Sequence, residues 1–415
     1  MQKKFLYFQP QYVGKFKCDG SKCNARCCKN WNVFIDQKTY EQYSQIKPES
    51  ESEEILSHMI FHDERKEYLV KLEADGICPF LNEKNLCRLQ LKYGENFLSM
   101  TCSSFPRRSL NFGKFFERSL FMTCPVAAEM ILFNEEPMQF EFIEVPEKIH
   151  SNGGKIAIAP VNTDPGFVEH ILEIQVAMIS ILQERTLSLD QRLIVLGFFL
   201  DRFDEIISTH RANASNFDDS IAELRKLIAA YESKTFLAEQ VPRMLAVVTF
   251  DAKKFIKLML GLLETLYGTD DFDKDKTILR FVAKTFGIVP DANGQVSATA
   301  ITANYMRLAD KMKDFSARRM TFLENYLVNE LFLNAYPWRH EAGIAKNFGV
   351  FATTYKLFEL LVFATEQENF HSKKDLLTLT DWFLSSADHN NEFMKRILAG
   401  VSDDIFSTLE TLLQP

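Results

Sequence analysis

The sequence predicts a mainly α protein: a small cysteine-rich, metal-binding N-terminal domain with short strands, followed by a larger all-α helical domain. Three observations carry this. All eight cysteines of the 415-residue chain lie at or before Cys124. The first third is cut by Gly, Asn, Ser and Pro into short segments, the pattern of loops and brief strands. From Pro165 onward apolar residues recur at helical spacing, beginning with Phe167, Ile171, Ile174, Met178 and Ile181, the stripe of an amphipathic helix. The expected division is 1–150 for the cysteine-rich domain and 151–415 for the helical one.

In chain order, residues 1–31 carry seven cations against Asp19, a net +6. Tyr12–Phe16 reads as a short strand, with the first cysteines on the loop behind it. Trp31–Asp36 alternates apolar and polar residues and reads as a second strand. Asp36 is placed to cap a helix over Thr39–Lys47. Pro48–Glu54, acidic and Ser-rich, reads as a solvated loop. Lys66–Glu73 is a strand or short helix, and Leu89–Leu98 a helix. A strand pair turns around Asn111-Phe112-Gly113, and Val126–Phe133 is a short helix. Glu135–Pro165 reads as a linker that could hold a hairpin. After the Phe167 helix, Ser188-Leu189-Asp190-Gln191 opens another that runs to Ser208. More are expected at 216–232, 237–249, 252–267 and 276–286, with a turn at Asp291–Gly294. Ser297–Phe332 is one long helix or two stacked ones. The chain ends in helices at 340–348, 350–366, 373–385 and 391–412.

The bulk numbers exclude several classes. A net charge of −8 argues against a nucleic-acid binder, whose affinity comes from Lys and Arg on phosphates. No apolar run reaches the ~18 residues of a membrane helix, so no membrane partner is expected. The N-terminus has no sustained apolar core and no small-residue cleavage site, which predicts a cytoplasmic protein. Cytosolic thiols stay reduced, so clustered cysteines there point to metal rather than disulfides.

The candidate metal ligands are Cys18, Cys23, Cys27, Cys28, Cys78, Cys87, Cys102 and Cys124. Four fall within eleven residues, spaced Cys18-x4-Cys23-x3-Cys27-Cys28. Zinc and iron–sulfur clusters each want about four thiolates. The Cys78-Pro79 and Cys124-Pro125 steps, and the lack of paired Cys-x2-Cys, favour an iron–sulfur cluster, with zinc as the alternative; 4Fe-4S is the form expected, although the spacing itself does not select a cluster type. Buried or redox-active thiols are the plain alternative to metal. His58 and His62, four residues apart in an acidic stretch, read as surface histidines. No Gly-x-Gly-x-x-Gly, Gly-x4-Gly-Lys-Ser/Thr or Cys-x3-Cys-x2-Cys motif is present.

These cysteine blocks, with Trp31-x-Val33-x-Ile35-Asp36, Gly94-Glu95-x2-Leu98-Ser99, Pro106-Arg107 and Cys124-Pro125-x-Ala127-Ala128, resemble the flagellin lysine-N-methylase family of bacteria. So do Arg192-Leu193 and Glu324-Asn325-Tyr326-Leu327-x-Asn329-x-Leu331-Phe332 with Tyr336-Pro337. The N-terminal part is also similar to small zinc- or iron-chelating cysteine-cluster proteins. The resemblance implies methyl transfer from S-adenosylmethionine to flagellin lysines, and an iron–sulfur cluster on the cysteines. Glu324, Asn325, Tyr326 and Asn329 are polar within an apolar helical block, as catalytic residues or a satisfied buried network would be. Phe105 and Arg107, close to Cys102, are candidates for lining a cofactor pocket. The rival class is a non-catalytic zinc- or iron–sulfur-binding redox or interaction module.

Overall fold

The computed structural model describes residues 4–18, 26–29, 32–146, 156–158, 167–213, 217–268, 276–292, 295–340, 342–388 and 390–414. It is mainly α, and the chain divides into two compact units. One comprises Met1–Ile131 with Gln139–Ala159; the other comprises Leu132–Met138 with Pro160–Pro415.

The first unit holds two sheets. In the five-stranded one, β1 (Lys4–Pro10) is an interior strand next to one edge. It runs antiparallel to β7 (Phe140–Pro146) along its whole length and parallel to β6 (Phe116–Leu120). The hairpin of β5 (Arg107–Asn111) and β6 turns through Gly113 at φ 86, as its Asn-Phe-Gly signal predicts. β8 (Ile156–Ile158) adds in parallel beyond β5. The second sheet orders β2 (Phe34–Ile35), β4 (Glu67–Val70) and β3 (Met59–His62).

Three readings in this unit are corrected. Tyr12–Phe16 is not a strand: Gln11–Lys15 is helical (α1), and the strand precedes it. Pro10 has no N–H to extend the ladder, and it suits the entry to a helix. Pro48–Glu54 is not a loop but enters α3 (Glu49–Ser57), after α2 (Gln37–Ser44). Glu49 and Glu51 favour the positive end of the helix dipole, and Ser52 and Ile55 face inward. Within Glu135–Pro165, β7 and β8 do not pair with each other. Their partners β1 and β5 are remote in sequence, which hid them. The expected cap is present, with Asp36 Oδ1 accepting from Thr39 N at 3.0 Å. The Leu89–Leu98 helix is shorter than expected. It spans Arg88–Tyr93 (α4) and stops at Gly94, whose φ is 83.

The second unit follows α5 (Met100–Ser104) and α6 (Pro125–Leu132) and is all helix among its described residues. Its helices are α7 (Ile171–Leu182), α8 (Leu189–Asn213), α9 (Phe217–Glu232), α10 (Lys234–Val247), α11 (Ala252–Tyr267) and α12 (Thr277–Phe286). Then come α13 (Ala298–Arg318), α14 (Met320–Leu333), α15 (Gly343–Gln367), α16 (Lys373–Asp388), α17 (Asn391–Gly400) and α18 (Ile405–Leu412). Ser188 opens α8 with a capping box: its Oγ accepts from Gln191 N, and Gln191 Oε1 accepts from Ser188 N. α15 is the core helix. It is long and apolar enough to cross a membrane, but 94% of that window is buried inside the fold.

Two boundaries differ from expectation. α15 runs unbroken through Gly349, and the expected 391–412 helix is two, with Asp404 capping the second. Gly349 marks a close approach rather than a break. A Cβ there would sit 2.8 Å from Val401 Cβ. Ser297–Phe332 resolves into two helices parted at Arg319. Part of the Asp291–Gly294 turn lies outside the described residues.

Candidate functional site

The first candidate site is built where two cysteine segments are laid side by side. Cys78 N donates to Cys28 O at 2.9 Å, and Lys29 bridges Ile77. Asn82 then folds the next turn, its Oδ1 accepting from Lys84 N and Leu86 N, an Asx turn. That turn brings Cys87 back beside Leu81, two residues past the Cys78-Pro79 step. Ser99 opens α5 and accepts from Cys102 N at 3.3 Å. Asp36 Oδ2 reaches across to Met100 N at 3.3 Å. Cys28, Cys78, Cys87 and Cys102 thereby join one apolar cluster with Val33, Ile35, Tyr43 and Phe80.

The thiols interact electrically. Cys27 and Cys28 sulfurs lie 3.8 Å apart. The Cys28 contact holds the Cys27 thiol below its usual range, whereas hydrogen bonding to Cys27 and burial push Cys28 up. Burial raises Cys78 to about 11 and Cys102 to about 12, with nearby thiols adding to the effect. Burial also raises Cys87. Such sulfurs stay protonated unless a cation offsets their charge, which is what a bound metal does.

The fit to a metal is therefore in donor type and enclosure. It is not in spacing: among the described residues, no three Cys, His, Asp or Glu are close enough to hold an ion. Cys23 lies outside the described residues. Cys18 is exposed after α1, and Cys124 is buried ahead of α6; neither belongs to the apolar cluster of the other cysteines. Phe105 and Arg107 follow α5. The Arg107 guanidinium lies 5.1 Å from the Phe16 ring centre, and its Nη1 donates to Ser103 O. His58 pairs with Glu54 and His62 ends β3, so the two share no helix face.

The second candidate site is α14. Glu324 is fully buried, and both its oxygens are occupied. Arg192 Nη1 donates to Oε2 at 2.7 Å, and Arg185 Nη2 donates to Oε1 at 2.8 Å. Arg192 is itself fully buried and also donates to the Leu182 and Leu187 carbonyls. Burial lowers its pKa from the usual arginine range, against the pull of Glu324. Asn325 Nδ2 donates to Asn134 O at 2.7 Å. Asn329 is fully buried. Tyr326 stacks on Phe358 with ring centres 4.0 Å apart. It lines a crevice of about 10 Å³ with Glu330, Tyr336, Phe351, Thr354 and Phe393, room for one water at most.

A third polar group escaped the sequence reading. Lys356, buried in α15, pairs with Asp190 at 2.8 Å and Glu359 at 2.6 Å. Burial alone would lower the Lys356 pKa; the two carboxylates more than offset it and hold it above its ordinary range. Asp190 is pushed up by burial and by Glu359, despite Lys356. One ammonium is shared by two acids, and Ser316 and Tyr355 hydroxyls donate to Glu359 Oε1 as well. The available signal was two charges three residues apart inside a long, largely apolar helix.

Residues 175–414 match the family model of the FliB lysine N-methylase C-terminal domain, more than half of the chain. The chain is also 32% identical over 139 residues to proteins named Lysine-N-methylase from Salmonella typhimurium and Salmonella choleraesuis, covering 33% of this chain and 35% of each relative. It has the same identity over 139 residues to the Flagellar biosynthetic protein FliU of Salmonella muenchen, covering 82% of that protein. The match thus spans about a third of the length of the two lysine-N-methylases. No solved structure matches. On the helical match the chain belongs to the FliB lysine N-methylase family.

Proposed function

We propose that the chain is a cytoplasmic lysine N-methyltransferase that moves methyl groups from S-adenosylmethionine to flagellin lysines. The observation that carries this is the family match across residues 175–414. The names Lysine-N-methylase and Flagellar biosynthetic protein, borne by the relatives, support the reaction and the substrate.

N-methylation displaces the sulfonium methyl in line: the amine lone pair forms the new C–N bond, the C–S electrons stay on sulfur, and the ammonium then loses a proton. The enzyme must hold a neutral amine and a cationic donor in register. Aromatic faces and carboxylates suit the sulfonium donor and the ammonium that forms as the methyl is transferred. Among the sequence candidates, Tyr326 is the one for substrate contact provided that the crevice it borders with Glu330, Tyr336 and Phe351, which holds no more than a water, widens to admit a lysine side chain. Glu324 and Asn325 are positioning residues that hold α14, and Asn329 belongs to the same buried row.

The cysteine set, by donor type, is proposed to hold an iron–sulfur cluster of the 4Fe-4S type, with Cys27, Cys28, Cys78, Cys87 and Cys102 as ligand candidates and Cys18, Cys23 and Cys124 completing the set. Zinc is the alternative. Such a group would cross-link the small cluster of buried residues around the cysteines. Phe105 and Arg107 would border it.

The test is mass spectrometry of flagellin co-expressed with the intact chain and with Cys27→Ser. A gain of one methylene per transferred methyl is expected with the intact chain and is reduced with the variant. Unmodified flagellin beside well-folded intact chain would overturn the assignment.

A further inference from the structure

Apart from the crevice at Tyr326, the helical unit has a larger cleft of about 230 Å³. Its floor is Thr353 of α15, one wall is Lys254 and Leu258 of α11, and the other is Ser407, Thr408 and Thr411 of α18. The turn at Gly400–Ser402 closes the end. A Cβ on Gly400 would lie 2.6 Å from Leu258 Cδ1, so glycine sets how closely this turn approaches α11.

Thr353 is fully buried, and its hydroxyl has no hydrogen-bond partner among the described residues. That is unusual in a helix, where threonine can bond the carbonyl one turn back. Thr408 and Thr411 do so, donating to Asp404 O and Ser407 O. A buried hydroxyl left unmade costs stability, which suggests a partner that binds here.

The rest of the lining indicates its chemistry. Lys254 supplies a cation. Ser402 Oγ already accepts from Asp404 N, so its own hydrogen is left to donate. Thr408 and Thr411 keep lone pairs for accepting. Asp251, which caps α11, lies beside Glu410 at one end of α18 and pairs with Lys254 at 3.7 Å, and Asp404 caps the other end of α18, so negative charge borders the cleft at both ends. No aromatic ring lines the cleft to stack a base. Its volume is below the ~300 Å³ at which pockets begin to enclose a whole drug-sized ligand. A zwitterionic amino-acid group and a sugar diol fit this set; a flat heterocycle does not.

We propose that this cleft holds the amino-acid and ribose end of the methyl donor. The proposal rests on the methyltransferase reading above. Thr353 and Thr354 are consecutive on α15 and line the cleft and the Tyr326 crevice respectively, so one helix borders both proposed substrate regions.

The experiment is titration calorimetry of the full chain with S-adenosylhomocysteine, for the wild type, Thr353→Val and Lys254→Gln, each checked by thermal melting. Valine keeps the shape of threonine and removes the unpaired hydroxyl, so Thr353→Val should melt no lower than wild type. Each variant should bind about three- to tenfold more weakly, the loss of one hydrogen bond or charge contact. Both variants binding as tightly as wild type would overturn the cleft assignment, Thr353 then holding a water only; flagellin methylation by the wild type would leave the function standing. A wild type that binds no S-adenosylhomocysteine and leaves flagellin unmodified would overturn both.

Discussion

Glu324 illustrates what a single residue can and cannot disclose. A carboxylate inside Leu323–Phe332 must be either reactive or neutralised, because an unpaired buried charge is too costly to keep. That much was legible. Its partners Arg192 and Arg185 lie 132 and 139 residues earlier, and no local pattern links them. Occupied on both oxygens, Glu324 is poorly disposed to accept a proton from an amine. Glu324→Gln keeps the shape and leaves Arg192 buried without its counter-charge. We expect it to lose about 3–5 kcal/mol in urea unfolding, the usual cost of removing one partner of a buried pair. Adding Arg192→Met should restore part of that, since the orphaned charge goes too. A loss below about 1 kcal/mol, typical of exposed pairs, would refute a structural role for the pair.

At the scale of elements, helices with a strong stripe and a clear cap were readable. α11 falls on the expected 252–267, opened by Asp251, which accepts from Lys253 N and Lys254 N. Glycines were the weak point, because a glycine marks either a break or a close approach and only the packed partner decides. Gly94, at φ 83, ends a helix; Gly349 does not. The contrast yields a prediction. In an open helix, Gly→Ala gains about 0.5–1 kcal/mol from backbone entropy. Gly261 has that room, its added Cβ meeting Arg396 Nε at 3.4 Å, so Gly261→Ala should raise the melting temperature. At Gly349 the new methyl would lie 2.8 Å from Val401 Cβ, an atom that cannot swing away. Overpacking costs about 1–3 kcal/mol, which exceeds the entropy gain, so Gly349→Ala should lower it. Equal shifts in both variants would show that α15 and Val401 are not this close.

Over the whole molecule, sulfur and helices divide the chain unequally, and the sequence made that visible from cysteine position alone. It did not show which thiols meet. That is set by the Lys29–Ile77 bridge, a backbone pairing that carries no side-chain signal, and by the Asn82 turn and the Ser99 cap, whose side chains signal only a local turn or helix start and not which thiols it brings together. The consequence is an asymmetry in stability. The helical unit has a continuous core around α15, whereas among the described residues the cluster around the cysteines has ten buried members. A core that small gains much of its stability from cross-links or metal. If a thiolate-bound metal ties Cys28, Cys78, Cys87 and Cys102 together, removing it withdraws folding energy from one unit only. Anaerobically purified chain should contain iron and sulfide, and calorimetry should resolve two transitions, as chains with separate units do. A Cys78→Ser, Cys87→Ser double variant should lose the metal and lower or abolish one transition. The other, which carries most of the helical circular dichroism, should stay in place. Protein that contains neither iron nor zinc, and whose melting the double serine variant does not alter, would rule out a metal staple.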